Sequence, residues 1–397
     1  MLESLTEEER RSLFGASLIC IAIFFADASH SLVIPIFPAF AQEHGASLIM
    51  IGLYGSAIGV AMALLSVPIG SISDRLGRKV VLSIGFALFT FVPLIYIVAS
   101  TTLHLLVARL VLGIAMGSTF GLGFVWVTEE AKGEARVIAQ GIYMTAMGIG
   151  FTIGPIIGGY ASTAWGYNAA FIASSLLGLC GFASIQLAKG GTQQRHSPAI
   201  RIGLRETLSD PRVLAAGLTN FINTLLYNAL STFFPLYGLF VGLNSAQVGL
   251  GFTVRGLFST IIRYPANIAM KGRTTFLLLV GGLVAQAAMI FILASSQSLN
   301  MILIFLAVQG VMYGISLTAG NVYVTSEAPP ERKGAAMGVY QSFSNASSVL
   351  SPIILGGVAS SYGVASSLQL AAMVAILGTI LCVYLSVRTH PKDLLAN

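Results

Sequence analysis

The chain carries one plan twice, about 197 residues apart. Pro38, Pro68 and Pro155 return as Pro235, Pro265 and Pro352. Gly52, Gly113, Gly141 and Gly166 return as Gly249, Gly310, Gly338 and Gly363, and Glu130 and Tyr143 return as Glu327 and Tyr340. Glycine matches alone carry little weight in a chain with 43 of them, but prolines number only 13 in 397 residues. A duplication of this length requires two equivalent halves, each a folding unit of its own.

The medium follows from composition. Hydrophobic residues make up 55% and charged residues 9%, with a mean hydropathy of +0.85. A water-soluble domain of this size has no use for so much apolar surface. A bilayer does, at roughly 20 apolar residues per helical crossing. Helices are expected because backbone groups in lipid must be bonded within their own segment. The apolar runs predict an all-α membrane protein with twelve transmembrane helices. The first six lie near 13–39, 48–70, 80–99, 103–127, 137–160 and 167–189. The second six lie near 212–240, 246–270, 274–295, 300–325, 335–358 and 366–387. The halves are therefore 1–189 and 212–397, joined by a polar linker at 190–211.

A pI of 9.3 raises the question of nucleic acid, which the distribution of charge answers. Of 21 lysines and arginines, only Arg109, Arg255 and Arg263 lie in the interior of the predicted spans, and Lys189 and Arg212 stand at the linker ends of theirs. The others sit at the N-terminus, in even-to-odd connections, in the linker or at the C-terminus. This is the positive-inside pattern of a plasma (inner) membrane protein, with both termini and the linker cytoplasmic. It is not the contiguous basic face of a nucleic-acid binder. The linker residues Arg195, Arg201 and Arg205 read either as contacts to anionic lipid headgroups or as part of a solvated tether. No signal peptide is expected, since Glu3, Glu7, Glu8 and Glu9 precede the first apolar run. Cys20, Cys180 and Cys382 lie in apolar segments without metal spacing and read as packing residues.

The other connections are short and leave no room for a soluble catalytic domain. There is no GxxxxGK[ST] phosphate cradle, no HExxH and no GxSxG. No cofactor, metal or enzymatic chemistry is expected. A duplicated apolar chain without a nucleotide site reads as a carrier whose halves rock around a central site, driven by an ion or substrate gradient.

Three segments bear on that mechanism. Between spans 2 and 3, Gly70-Ser71-Ile72-Ser73-Asp74-Arg75-Leu76-Gly77-Arg78-Lys79 forms a tight basic turn. Asp74 is placed to pair with Arg78 or to cap a helix. Its second-half copy is worn, with Pro265, Asn267, Lys271, Gly272 and Arg273 but no aspartate. In span 5, Gly150-x-x-x-Gly154-Pro155-x-x-Gly158-Gly159 gives a smooth surface for close helix packing and a proline bend. In span 1, Asp27 is the only carboxylate deep in the predicted membrane, and His30 follows one turn later. A membrane-buried charge costs roughly 3 kcal/mol or more. Asp27 is therefore expected to carry a proton, bind a cationic group or pair with an arginine. His30 reads either as a polar packing residue or as a proton relay.

The loop segment resembles the signature G-x-L-x-D-R-x-G-R-K/R of the major facilitator superfamily, departing only at Ile72. The glycine–proline segment resembles the motif of that superfamily's proton-coupled exporters. Leu105, Arg109 and Gly113 fit its L-x-x-x-R-x-x-x-G pattern. The resemblance covers almost the whole chain. It implies two six-helix bundles related by pseudo-two-fold symmetry, a monomer, and alternating access. It further implies a conformational latch at Gly70, Asp74, Arg75, Gly77 and Arg78, and proton coupling through Asp27, His30 and Arg109, as in drug:proton antiporters.

Substrate contacts are expected from Asp27 and from the polar stripe of the second half. Asn223 and Tyr227 lie in span 7, Arg255 in span 8, Tyr313 and Asn321 in span 10 and Asn345 in span 11. Two substrate classes follow. One is a small organic or amphipathic compound exported against protons. The other is an organic anion, such as a carboxylate or siderophore, read by Arg255. With Asp27 ionised, the membrane interior holds three positive charges against one negative, which favours the second. The expected partners are the substrate, protons and lipid.

Overall fold

The computed structural model describes residues 5–188, Gly190, 211–270, 273–327 and 332–389. The linker arginines and Lys271 and Gly272 of the worn loop copy lie outside the described residues. Among the described residues there are thirteen helices. In the first half they are α1 (Glu7–Val33), α2 (Phe37–Glu43), α3 (Leu48–Leu76), α4 (Arg78–Val98), α5 (Thr102–Glu130), α6 (Ala135–Trp165) and α7 (Tyr167–Leu187). In the second they are α8 (Pro211–Phe240), α9 (Ser245–Ala269), α10 (Arg273–Leu293), α11 (Leu299–Glu327), α12 (Lys333–Tyr362) and α13 (Val364–Thr389). Ten of them are long and apolar enough to cross a membrane. The two other long ones, α9 and α12, fall below that hydropathy. The first carries Arg255 and Arg263, and the second carries Gln341, Asn345 and a run of serines.

The repeat governs helix placement. Shifted by the repeat length, α5 falls on α11 from end to end, and α6 on α12 to within a residue. The turns repeat as well. Gly166 at φ 84° closes α6, and Gly363 at φ 90° closes α12. That left-handed conformation is open to glycine at no steric cost.

One expected element is wrong. The sequence predicts an unbroken span at 13–39, but α1 ends at Val33, a turn follows at 34–36, and α2 begins at Phe37. Pro35 and Pro38 stand three residues apart, and each removes an N–H donor and crowds the preceding turn. The second half keeps only the later one, as Pro235, and α8 runs through it.

The chain divides into two compact units. One holds α1, α2, α3 from Val60 onward, α4 to α7, and Asn244–Thr253 at the start of α9. The other holds Ala46–Gly59 at the start of α3, α8, α9 from Val254, and α10 to α13. In the first unit α1 is the central helix, packed mainly on α6 and α7. Ser29 Oγ donates to the Ser174 carbonyl at 2.8 Å, and Ser174 Oγ returns a bond to the Ser29 carbonyl at 2.9 Å. In the second unit α8 takes that place against α12 and α13, and Asn220 Nδ2 donates to the Tyr340 carbonyl at 2.9 Å.

Each unit contains the same close backbone contact. In the first, a Cβ added to Gly249 would run into the Pro155 carbonyl oxygen and stand 3.2 Å from Gly159 Cα. In the second, a Cβ added to Gly52 would run into the Pro352 carbonyl oxygen and stand 3.1 Å from Gly356 Cα. These are the same residues one repeat apart. The glycines are kept because two helices touch there through backbone alone.

Candidate functional site

The first unit gathers the acidic and basic groups. Asp27 is 6% exposed and lies where α1 meets the glycine row of α6. A Cβ at Gly150 would stand 3.1 Å from Asp27 Cβ and 3.0 Å from the Ala28 nitrogen. At Gly154 it would stand 2.5 Å from the Ala28 oxygen, and at Gly158 it would overlap the Leu32 carbonyl. Gly150, Gly154 and Gly158 thus form one face along α1, four residues apart. Pro155 and Gly159 turn the other way, onto Ser245 and Gly249. The motif serves two packing surfaces at once.

Beside Asp27 the α1–α6 contact opens. An open apolar groove of about 580 Å³ is lined by Ser17, Cys20, Ile21 and Phe24 of α1 and by residues from Ile138 to Ile149 of α6. Phe24 is one turn before Asp27, and Ile149 adjoins Gly150. The groove therefore runs along α1 toward the turn that carries Asp27, which is not itself one of the lining residues.

Arg109 is placed through the break in α1. It is 7% exposed, and its guanidinium carbon lies 3.2 Å from the Phe37 ring centroid and 5.6 Å from that of Tyr96. Such stacking is worth about 2 kcal/mol when desolvated. His30 and Tyr96 both lie within electrostatic reach of Arg109. The sequence points to Arg109 and His30 but not to the aromatic pair that holds the guanidinium.

The loop motif centres on Arg78, 7% exposed. Gly77 takes φ 93° between α3 and α4, which turns Arg78 back over the end of α3. Its Nη1 lies 2.6 Å from Asp74 Oδ1 and donates to Ser73 Oγ at 3.1 Å. Its Nε and Nη2 donate to both carboxylate oxygens of Glu129, at 3.3 and 3.2 Å. The arginine ties the ends of α3, α4 and α5. Arg75 is exposed, and Gly70 has open space around it. Sequence reasoning missed Glu129, which lies far along the chain from the motif. Lys132, between α5 and α6, is bound at 2.5 Å to Glu8. That bond holds the lysine above its ordinary pKa.

The second unit holds a buried chain of hydrogen bonds. Arg255, 1% exposed, donates from Nε to Gln309 Oε1 at 2.6 Å. Gln309 Nε2 donates to Gln286 Oε1 at 3.2 Å. Gln286 Nε2 donates to Asn223 Oδ1 at 3.2 Å and to Ser316 Oγ at 3.1 Å. The guanidinium carbon lies 4.6 Å from the Tyr313 ring centroid and 5.4 Å from that of Tyr227, and the two rings stack. Asn223, Tyr227, Arg255 and Tyr313 are therefore brought together. Asn321 is exposed and Asn345 half-buried, outside this chain of bonds. Gln286 is its central member and was missed. The available signal was one amide in the otherwise apolar run of α10.

The chain belongs to the major facilitator superfamily, whose sequence profile matches residues 19–266 and 216–396. It is a multi-pass membrane transporter, not an enzyme. It is 23% identical to an uncharacterized MFS-type transporter of Methanocaldococcus jannaschii over 366 residues, 90% of this chain and 95% of that one. It is also 23% identical to multidrug resistance protein 1 of Bacillus subtilis, over 86% of this chain and 88% of that one. Its fold matches that of a bacterial homologue of the human lysosomal transporter Spinster, with a TM-score of 0.79, 14% identity, and coverage of 98% and 99% of the two chains.

Proposed function

We propose that this transporter exports small amphipathic organic compounds in exchange for protons, by alternating access of two six-helix bundles. In this reading α9 and α12 complete a set of twelve crossings. They have 25 and 30 residues, enough for a span of roughly 20. Both termini face the cytoplasm across the plasma (inner) membrane, and the working form is a monomer.

The observation that supports this reading is a buried carboxylate, Asp27, packed on Gly150 one turn beyond the open apolar groove between α1 and α6. The volume falls in the usual small-molecule range of about 300–1,000 Å³. Its lining accepts an apolar body, and the buried Asp27 carboxylate on the next turn of α1 accepts a proton or a cationic group in turn. Competition for one buried carboxylate is sufficient to couple the two movements. The Bacillus relative is named for multidrug resistance, which agrees with a site that selects by apolar fit. Arg255 gives the organic-anion reading less support, because it is buried, its Nε bonds to Gln309 and its guanidinium lies over Tyr313. Its place here is to hold the polar wall of the second unit.

The test is uptake into proteoliposomes under an imposed proton gradient, with cationic, neutral and anionic amphipathic dyes. Cationic and neutral dyes are expected to accumulate, with matching proton counterflow. Accumulation of anionic dyes alone, or uptake without proton movement, overturns the reading.

A further inference from the structure

A second, much smaller cavity of about 10 Å³ lies in the first unit, between α1, α4, α5 and α7. Its polar wall consists of Ser29, His30, Tyr96 and Ser174, and apolar side chains such as Leu112 close the rest. His30 Nδ1 and Tyr96 Oη are both buried and have no protein hydrogen-bond partner. The two serines bond to each other's carbonyls and keep acceptor capacity on their hydroxyls. Two orphaned polar atoms on one small cavity point to a ligand, since such groups are otherwise satisfied in native interiors.

The space selects that ligand. One water requires roughly 10–15 Å³ and two to four polar partners, and both conditions are met. The cavity is too small for a larger solute. A cation is disfavoured, because Arg109 lies within electrostatic reach of both His30 and Tyr96 and the wall holds no carboxylate. We propose that the cavity holds a single ordered water that bridges His30 Nδ1 and Tyr96 Oη. The water links α1 to α4 beside Arg109 and fixes the tautomer and ring orientation of His30. Asp27 stands one turn below on the same helix. His30 is thereby a positioning residue between α1 and α4. The site stands independently of which compound is transported.

The test is water-edited solid-state NMR on the full chain in lipid bilayers, with histidine labelled with nitrogen-15. The His30 signal is assigned by its loss in His30→Gln. Magnetisation is expected to pass from water to His30 Nδ1 in the wild type. Tyr96→Phe, which removes one partner of the water, is expected to cut that transfer at least twofold. Absence of transfer in the wild type overturns the proposal, and that measurement needs no variant to fold. Transfer undiminished in a folded Tyr96→Phe variant overturns the bridge.

Discussion

The two halves keep the same bends and differ in their chemistry. Pro155 and Gly159 recur as Pro352 and Gly356, and these residues form the backbone contact found in both units. Gly150, Gly154 and Gly158 do not recur. Their counterparts are Ser347, Ser351 and Leu355. Where α6 meets α1 through glycine, α12 meets α8 through a hydrogen bond from Asn228 Nδ2 to Ser351 Oγ at 3.1 Å. The charged groups follow the same division. Asp27, Arg78 and Arg109 have Thr224, Thr275 and Leu306 as counterparts, and Arg255 has Ile58. Duplication has fixed the helix packing that both halves need. These four ionisable groups have been left to one half each: Asp27, Arg78 and Arg109 in the first, and Arg255 with its chain of amides in the second.

The largest effect is expected from exchanging that packing. Gly154→Ser places the second half's residue in the first. Its Cβ would stand 2.5 Å from the Ala28 oxygen and 2.8 Å from the Leu32 nitrogen. Overpacking of this kind costs typically about 1–3 kcal/mol, and α1 is the central helix of its unit. The reverse exchange, Ser351→Gly, creates no clash and gives up two hydrogen bonds, that from Asn228 and a local one to the Ser347 carbonyl, each worth about 1 kcal/mol. Thermal unfolding of both variants in detergent checks the pair. Equal losses would show that the glycine row is not specific to the first half.

Next in size is Gln286→Leu, which removes the middle of the second unit's chain of bonds and leaves Gln309 and Asn223 each short of a partner. Leaving a buried polar group unsatisfied costs about 1–3 kcal/mol. A melting temperature equal to wild type would mean that these amides are satisfied without Gln286. Arg78→Met is expected to cost about 1.5–3 kcal/mol, the worth of a charge-assisted bond. It also frees the joined ends of α3, α4 and α5, which cysteine cross-linking between those ends reports. Lys132→Met is the smallest case. Its ion pair with Glu8 is exposed on both sides, such pairs contribute little, and no change in melting temperature is expected. A loss as large as that of Arg78→Met would refute the distinction between buried hub and surface pair.

The helix positions were legible because apolar runs, glycine turns and repeated prolines are local signals. The eleven spans after the first end within a few residues of the observed helices. The break at 34–36 was missed although Pro35 and Pro38 mark it, because apolar residues continue through it and hydropathy does not register a turn. That miss matters, since the break brings Phe37 over Arg109. Asp74 and Arg78 were readable as a short-range pair. Glu129 was not, because it lies 51 residues from Arg78. Gln286 was a single amide without a periodic partner, and only the packed helices show that it joins Asn223 to Gln309.

The central claim is that the first half's acid couples transport to protons. Asp27→Asn keeps size and packing against Gly150 but cannot release a proton. In proteoliposomes, the account predicts that this variant loses accumulation driven by the proton gradient while it still equilibrates substrate down its own gradient. Full uphill accumulation by Asp27→Asn would contradict the account and leave Asp27 as a packing residue.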